Sequence, residues 1–526
     1  MKNRLLALGV CLVLSLPACD KESLNKVNPN GGTPELFYTN TVELTQGVNA
    51  IYATLQGINL AGREYFFTLD LRSDEFATGG GGLEAPRAQL LTGAHTADNA
   101  LVNSVWNGFY RTILRANAVI ENAPKVDSKF ITADMRARLD GEAKFLRAWS
   151  YYNLVSLWGG VPIYKVAGKD LSSETEGRAT PEAVYKLIIE DLTTAQKSLL
   201  ESYSGDDKGR ATSGAASALL GKVYMNQGNY AAAKTELEKV KALADKGIYK
   251  LMPSYDDNFK EETGFNDESI FEVGFAPGQA LNWGSPDGDG SSDATTRTQE
   301  YSAIGWRNVI PSNSLLADFE STKKGDDKND PRFGYNFYRV GDLINGGKVR
   351  LDSINPNKLD TVIAVSGTDA MFEGKKEKIS WKKYSSLYKN KETFYLGSMN
   401  MRVIRYADVL LLLAECENEV GTASAAIGYL NQVRSRPSVD MPSYPTKNYK
   451  VSNKDEIFAA VMHERKVELA GEQIRNFDIL RWRKLGKLKT EPISYFKPKM
   501  YELLPIPQAE ISNNSKFSQQ DQNPGY

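Results

Sequence analysis

The sequence predicts a mainly α protein: a tetratricopeptide-like helical repeat scaffold interrupted by a loop-rich insert with short strands. Three observations lead there. Long segments of the first half carry apolar residues at helical spacing, a helix–turn–helix signature with repeat-like spacing occurs twice, and the stretch between its two copies is rich in Gly, Asp, Asn and Ser.

At the N-terminus, Lys2 and Arg4 precede the apolar run Leu5 to Leu16, and the chain continues Leu16-Pro17-Ala18-Cys19. A positive start followed by about a dozen apolar residues is the pattern of an export signal, and it is too short for a membrane-spanning helix of about 20 residues. Residues 1–18 are therefore read as a signal peptide. Leu-x-Ala-Cys resembles the bacterial lipobox, in which cleavage falls before the cysteine and Cys19 receives acyl chains; an ordinary secretory signal is the alternative. Each buried methylene of an acyl chain contributes about 0.8 kcal/mol, so several chains make a durable anchor. Asp20-Lys21-Glu22 resembles the short charged stretch that sends some bacterial lipoproteins to the cell surface, and Asn25 to Pro34 is rich in Asn, Gly and Pro. Residues 19–40 read as a lipidated tether.

The remainder exceeds the usual size of one simple core, so a composite unit over 19–526 or subdomains are expected. With 41% hydrophobic and 25% charged residues, the composition is that of a globular protein, and a formal net charge of −1 argues against a nucleic-acid partner. Cys11 leaves with the signal and Cys19 is the anchor, which leaves Cys416 without a disulfide partner. His95 and His463 are far apart in sequence and lack neighbouring cysteines, so a zinc site has few ligands to draw on; both read as polar surface or structural residues. No cofactor is expected.

The first helical region spans residues 41–250, with helices over Trp106 to Asn122, Asp134 to Trp158 and Pro181 to Leu200. Thr180-Pro181 is a good helix start, because threonine caps free amides and proline at the first helical position gives up a donor that has no partner there. Trp106, Trp149, Trp158 and Trp482 fall in helical patterns and read as packing residues. Within Ala211 to Val240, Leu220, Gly221, Tyr224, Ala233, Leu237 and Val240 take tetratricopeptide spacing, with Gly228-Asn229 as the turn. The frame recurs as Leu413, Ala414, Ala426, Leu430 and Val433, with Gly421 opposite Gly228 and Glu417 in place of the tyrosine; two unrelated amphipathic hairpins are the alternative. Such repeats cannot bury their own faces, so the helix around Phe145 to Leu157 is expected alongside.

Residues 251–400 read as a ligand-display insert, with strand-like runs at Ser269 to Phe275 and Leu359 to Val365. Long irregular segments on a rigid support commonly carry function. In its Gly284 to Asp293 loop, Asp287, Asp289 and Asp293 are weak calcium candidates, but Ser292 and Thr298 stand where an EF-hand needs Gly and Glu.

Residues 401–526 carry the most specific pattern. Ile404-Arg405-Tyr406-Ala407-Asp408 leads into Leu410 to Glu417 and then Leu430-Asn431-Gln432-Val433-Arg434. Glu464-Arg465-Lys466-Val467-Glu468-Leu469 runs on to Arg475-Asn476-Phe477-Asp478-Ile479-Leu480-Arg481-Trp482, and the chain closes on Leu504-Pro505-Ile506-Pro507 and Asn523-Pro524-Gly525-Tyr526. These segments, with Glu142 to Ala148 and Leu157-Trp158-Gly159-Gly160-Val161-Pro162, resemble the SusD/RagB family across nearly the whole mature chain, and so imply a SusD-like α/α fold. Spacing alone gives them a scaffold role. Val467, Ala470, Ile474 and Phe477 share one helical face, and Glu472, Arg475 and Asp478 can pair along that helix.

The resemblance implies an outer-membrane nutrient-binding lipoprotein, not an enzyme, that captures oligosaccharides for a SusC-like TonB-dependent transporter; a peptide-binding, RagB-like role is the alternative. A sugar site needs aromatic platforms with a few amide, carboxylate or guanidinium partners. The candidates are Arg72, Asp74 and Glu75, ahead of the glycines 79–82, and Trp283, Tyr301 and Trp306 in the insert. A lipoprotein glycoside hydrolase, which would need two carboxylates about 5–9.5 Å apart, and a pure assembly scaffold are the rival readings.

Overall fold

The computed structural model describes residues 37–80, 82–167, 175–277, 293–353, 361–392 and 396–526. The signal segment, Cys19, nearly all of the tether, Trp283, Asp287 and Asp289 lie outside them.

Helix α1 (Thr41–Gln56) starts at Asn40, whose side chain accepts from the amides of Val42 and Glu43. Helix α2 (Ala100–Asn122) begins earlier than its apolar periodicity suggests, because Asn99 caps the amides of Leu101 and Val102. Helix α3 (Ala133–Trp158) and helix α4 (Pro181–Ser198) follow the expected spans. Thr180 Oγ1 accepts from the Ala183 amide at 3.3 Å. Arg147 of α3 grips Asp191 of α4 with two hydrogen bonds of 2.8 Å inside the protein.

The first repeat is a helical hairpin, α5 (Ser213–Asn226) and α6 (Tyr230–Asp245). Gly221 is small because Leu237 fills its space: an added Cβ would lie 2.7 Å from that side chain. The second hairpin, α7 (Tyr406–Val420) and α8 (Ala423–Arg434), packs against the first. Glu417, at the tyrosine position of the frame, bridges to Lys234 of α6 at 2.8 Å, so the departure has a local reason. Helix α3 lies alongside as expected, with Asn226 of α5 donating to Ser156 at 3.0 Å. Trp106, Trp149, Trp158 and Trp482 are buried, as is Cys416.

The insert folds into small sheets. Ser269–Val273 pairs antiparallel with Met401–Arg405, which runs straight into α7. Phe76–Thr78 pairs antiparallel with Val309–Pro311, and Val362–Ala364, within the described residues 361–365 of the second predicted strand, lies parallel to Val349–Asp352. Among the described residues no helix is long and apolar enough to cross a membrane. One hydrophobic cluster runs from Leu44 to Phe517, and two smaller ones sit around Leu351 and around Tyr255.

The closing motifs depart from the expected single helix. Helix α9 (Lys454–Glu468) stops, and α10 (Arg475–Lys484) begins after a turn with Gly471 at φ +69 and Gln473 at φ +63. A Cβ on Gly471 would meet the Trp381 ring at 2.7 Å, so glycine is required there twice over. Glu472 therefore pairs with Arg405 and Lys383 at 2.7 Å, not with Arg475. Asp478 pairs with Arg465 at 2.7 Å and with Arg481 at 3.1 Å. The wider network is buried: Arg405 reaches Glu268 and Glu468, Arg436 reaches the same two, and Arg332 reaches Glu464 and Glu468, all within 3.1 Å. Burial alone would raise the Glu268 and Glu464 carboxyls, but the surrounding guanidinium groups hold both down at about 2.

Candidate ligand-binding face

Four of the sequence-selected residues point inward. Arg72 is buried and donates to the Tyr501 carbonyl at 3.1 Å. Asp74 is clamped by Arg475 at 2.7 Å and Lys466 at 2.8 Å, which hold its carboxyl well below the usual range despite burial. Glu75 accepts the Gly471 amide at 3.0 Å, and burial pushes it up to about 8. Tyr301 donates to Asp70 at 2.8 Å, and burial lifts Asp70 to about 7 although Arg297 opposes it. Asp74 thus fastens the first region to α9 and α10, Glu75 to the turn between them and Arg72 to Tyr501, while Tyr301 ties the insert to the first region, in place of forming an open polar surface. The physical reason is that a buried polar group needs a hydrogen-bond partner, and each of these has one from a distant segment.

Trp306 is placed differently. It is 43% exposed and stands between two left-handed residues, Gly305 at φ +105 and Arg307 at φ +48. Left-handed backbone is costly for arginine, and it persists only where surroundings fix it. Here they do. The buried Arg307 side chain donates to Ser380 Oγ at 2.7 Å and to the carbonyls of Ile379, Thr368 and Ser366 at 2.8, 2.9 and 3.0 Å. Burial lowers its pKa to about 10. On either side, the Trp306 amide donates to Gln299 and the Asn308 amide to Glu300, at 2.9 and 2.7 Å. The turn thus presents an indole to solvent on a fixed mount.

Around it, the Arg63 guanidinium lies 5.8 Å from the indole centroid and bridges Glu300 at 2.6 Å and the half-exposed Glu84 at 3.0 Å. Gly79 passes so close that an added Cβ would sit 1.9 Å from the Arg307 carbonyl, and its amide donates to Asn308. Gly79, the first of the glycines 79–82, therefore belongs to this face as backbone. Arg63, Glu84 and Arg307 were not singled out by sequence, and only Gly79 and Gly305 hinted at the close approach. A flat apolar ring can stack on a sugar face, and the half-exposed Glu84 carboxylate, held by the buried Arg63, can accept from a hydroxyl.

The histidines are both buried, which removes the surface reading: His95 shares a 2.9 Å hydrogen bond with Tyr526, and His463 stacks on Tyr449 at 4.5 Å. Among the described residues, Glu320, His463 and Glu464 are the group whose ligand atoms converge enough for a metal. Arg434 and Arg332 already occupy those carboxylates at 2.5–3.0 Å, so a cation would face two guanidinium charges. Asp293 is half-buried, with its carbonyl accepting the Ala276 amide at 2.9 Å, and the other two calcium candidates lie outside the described residues.

Residues 267–526 match the family model described as SusD family, and residues 42–225 match one described as starch-binding associating with outer membrane. SusD-like protein P25 of Formosa agariphila is 27% identical over 100% of both chains, and SusD-like protein P2 of the same organism is 28% identical over 98% of each. A solved laminarin binding SusD-like protein is 27% identical, covering 93% of this chain and 100% of its own, with a TM-score of 0.73. Surface glycan-binding protein A from Bacteroides thetaiotaomicron, solved in complex with laminarihexaose, is 21% identical and shares the fold, with a TM-score of 0.71 over 92% of this chain and 100% of its own. Both solved proteins are described as binding proteins.

Proposed function

The chain belongs to the SusD/RagB family, and from that premise we propose that it captures oligosaccharides at the outer membrane, on the face built around Trp306, for import through a SusC-like TonB-dependent transporter. The observation that carries this reading is the fixed, exposed indole over Arg63, which holds the half-exposed Glu84. A rigid platform loses little conformational freedom on binding, which favours affinity for a hydroxyl-rich ligand of modest contact area. Cys19 supplies the lipid anchor, residues 19–40 the tether, and the chain faces the cell exterior. Residues 41–250 and 401–526 act as the scaffold, and residues 251–400 display the ligand site together with Gly79 and Glu84. Trp283 stays in this proposal as a second aromatic of the same insert.

The test is calorimetric titration of the detergent-solubilised full chain with laminarihexaose, other oligosaccharides and short peptides, alongside Trp306→Ala. Saturable oligosaccharide binding that weakens at least tenfold in the variant supports the reading. Binding of peptides alone moves the protein to the RagB-like role, and oligosaccharide turnover would replace capture by hydrolysis. Co-purification of the native protein with a TonB-dependent barrel tests the partnership.

A further inference from the structure

A second cleft lies on the face of α2, and its lining shares no residue with the Trp306 turn. Its volume is about 410 Å³, within the range of about 300–1,000 Å³ typical of small-molecule sites. Tyr110 and Tyr164, backed by the buried Trp106, form its apolar side. Trp106 and Tyr110 have ring centroids 4.9 Å apart, and Tyr164 meets Tyr110 edge to face at 5.7 Å and 84°. Both tyrosines are half-buried and held in place. Tyr110 donates its hydroxyl to the Pro162 carbonyl at 2.9 Å, and the Tyr164 amide donates to the Tyr151 hydroxyl at 2.8 Å.

The polar side is rich in uncommitted groups. Asn107 projects from α2, Asn59 from the turn before residue 64, and Asn513 from the short helix Gln508–Asn513, and all three line the cleft. Among the described residues, their side-chain amides have no hydrogen-bond partner in the protein. Glu510 stands beside them, with one carboxylate oxygen accepting from Asn514 at 2.7 Å. An amide offers both donors and an acceptor, which matches hydroxyl groups that also donate and accept. Two aromatic rings set nearly at right angles, in a lining that also holds several amides, one carboxylate and Arg111, offer both an apolar surface for the C–H face of a sugar ring and polar groups for its rim.

We propose that this cleft is a second saccharide site, taking one or two sugar units, separate from the Trp306 platform. The turn Gly57 to Arg63 carries Asn59 into the cleft and Arg63 beneath Trp306, so the two sites share a support. The inference rests on the capture reading for the class of ligand delivered here, and on the cleft's own lining for its existence.

Disaccharides are too short to serve as a bridge between separate sites, so they make the discriminating probes. Saturation-transfer NMR would be run on the detergent-solubilised full chain with maltose, cellobiose and laminaribiose. The variants are Trp306→Ala, Asn107→Ala combined with Asn513→Ala, and Glu510→Gln. Asn107 and Asn513 are exposed, and Glu510→Gln keeps the acceptor for Asn514, so melting temperatures should stay at the wild-type value. The expected result is disaccharide binding that persists in Trp306→Ala, falls at least tenfold in the double asparagine variant, and falls in Glu510→Gln. Disaccharide binding abolished by Trp306→Ala yet unchanged in the double variant overturns the second site and leaves the capture reading standing. No binding of any disaccharide overturns the second site, while laminarihexaose titration judges the capture reading separately.

Discussion

The exposed indole of Trp306 is held by its neighbours' backbone, so its side chain contributes little to folding. Trp306→Ala should therefore leave thermal stability within about 0.5 kcal/mol of wild type, as surface substitutions do, while oligosaccharide affinity drops at least tenfold. Arg307 is the mount. Its replacement by alanine removes the hydrogen bonds to Ser380, Ile379, Thr368 and Ser366 and should cost about 1–3 kcal/mol of stability together with a loss of affinity, read by melting and by titration. Glu75 makes a different prediction, through pH. Its folded pKa of about 8 lies above that of an unfolded glutamate, so the folded state binds the extra proton and stability falls as pH rises between about 4 and 8. Glu75→Gln should match wild type near pH 4 and exceed it at pH 9, by on the order of 5 kcal/mol. Equal melting curves at both pH values would contradict the burial argument.

At the scale of elements, the helices were legible because their period is local. The frame of α5 and α6 named the right contacts, and Gly221 meets Leu237 as the repeat spacing requires. Gly221→Val should overpack that crossing and cost about 1–3 kcal/mol, measured by denaturant titration. The break between α9 and α10 was not legible, because apolar residues continue at helical intervals from Val467 to Phe477 across a turn set by Gly471 and Trp381. Exposure was legible in part: the polar insert neighbours of Trp306 indicated it, but Arg72, Asp74 and Glu75 stand as sugar-site candidates in the sequence because their buried partners are remote. Arg475 is 401 residues from Asp74, and no local pattern reports such a contact. The short strands of the insert likewise depend on partners far along the chain, as Phe76–Thr78 does on Val309–Pro311.

Across the whole molecule, the buried carboxylate–guanidinium network joins the insert to the closing helices. Arg405 alone touches Glu268, Glu468 and Glu472, so Arg405→Ala would strand buried charges, and loss of one partner from a buried pair costs about 3–5 kcal/mol. The network also sets acid stability. Glu268 and Glu464 are held at about 2, below their unfolded values, so their contribution is present above about pH 4 and is lost as pH falls from about 4 to 2. Melting temperature should drop steeply over that interval. This rigid interior is what allows one turn to hold Trp306 in a fixed orientation. The most direct measurement is therefore titration of the full chain and of Trp306→Ala with laminarihexaose and related oligosaccharides. Saturable binding that weakens at least tenfold in a variant with unchanged melting temperature is the predicted result; oligosaccharide binding unaltered by the substitution, or none to the wild-type chain, would contradict the account.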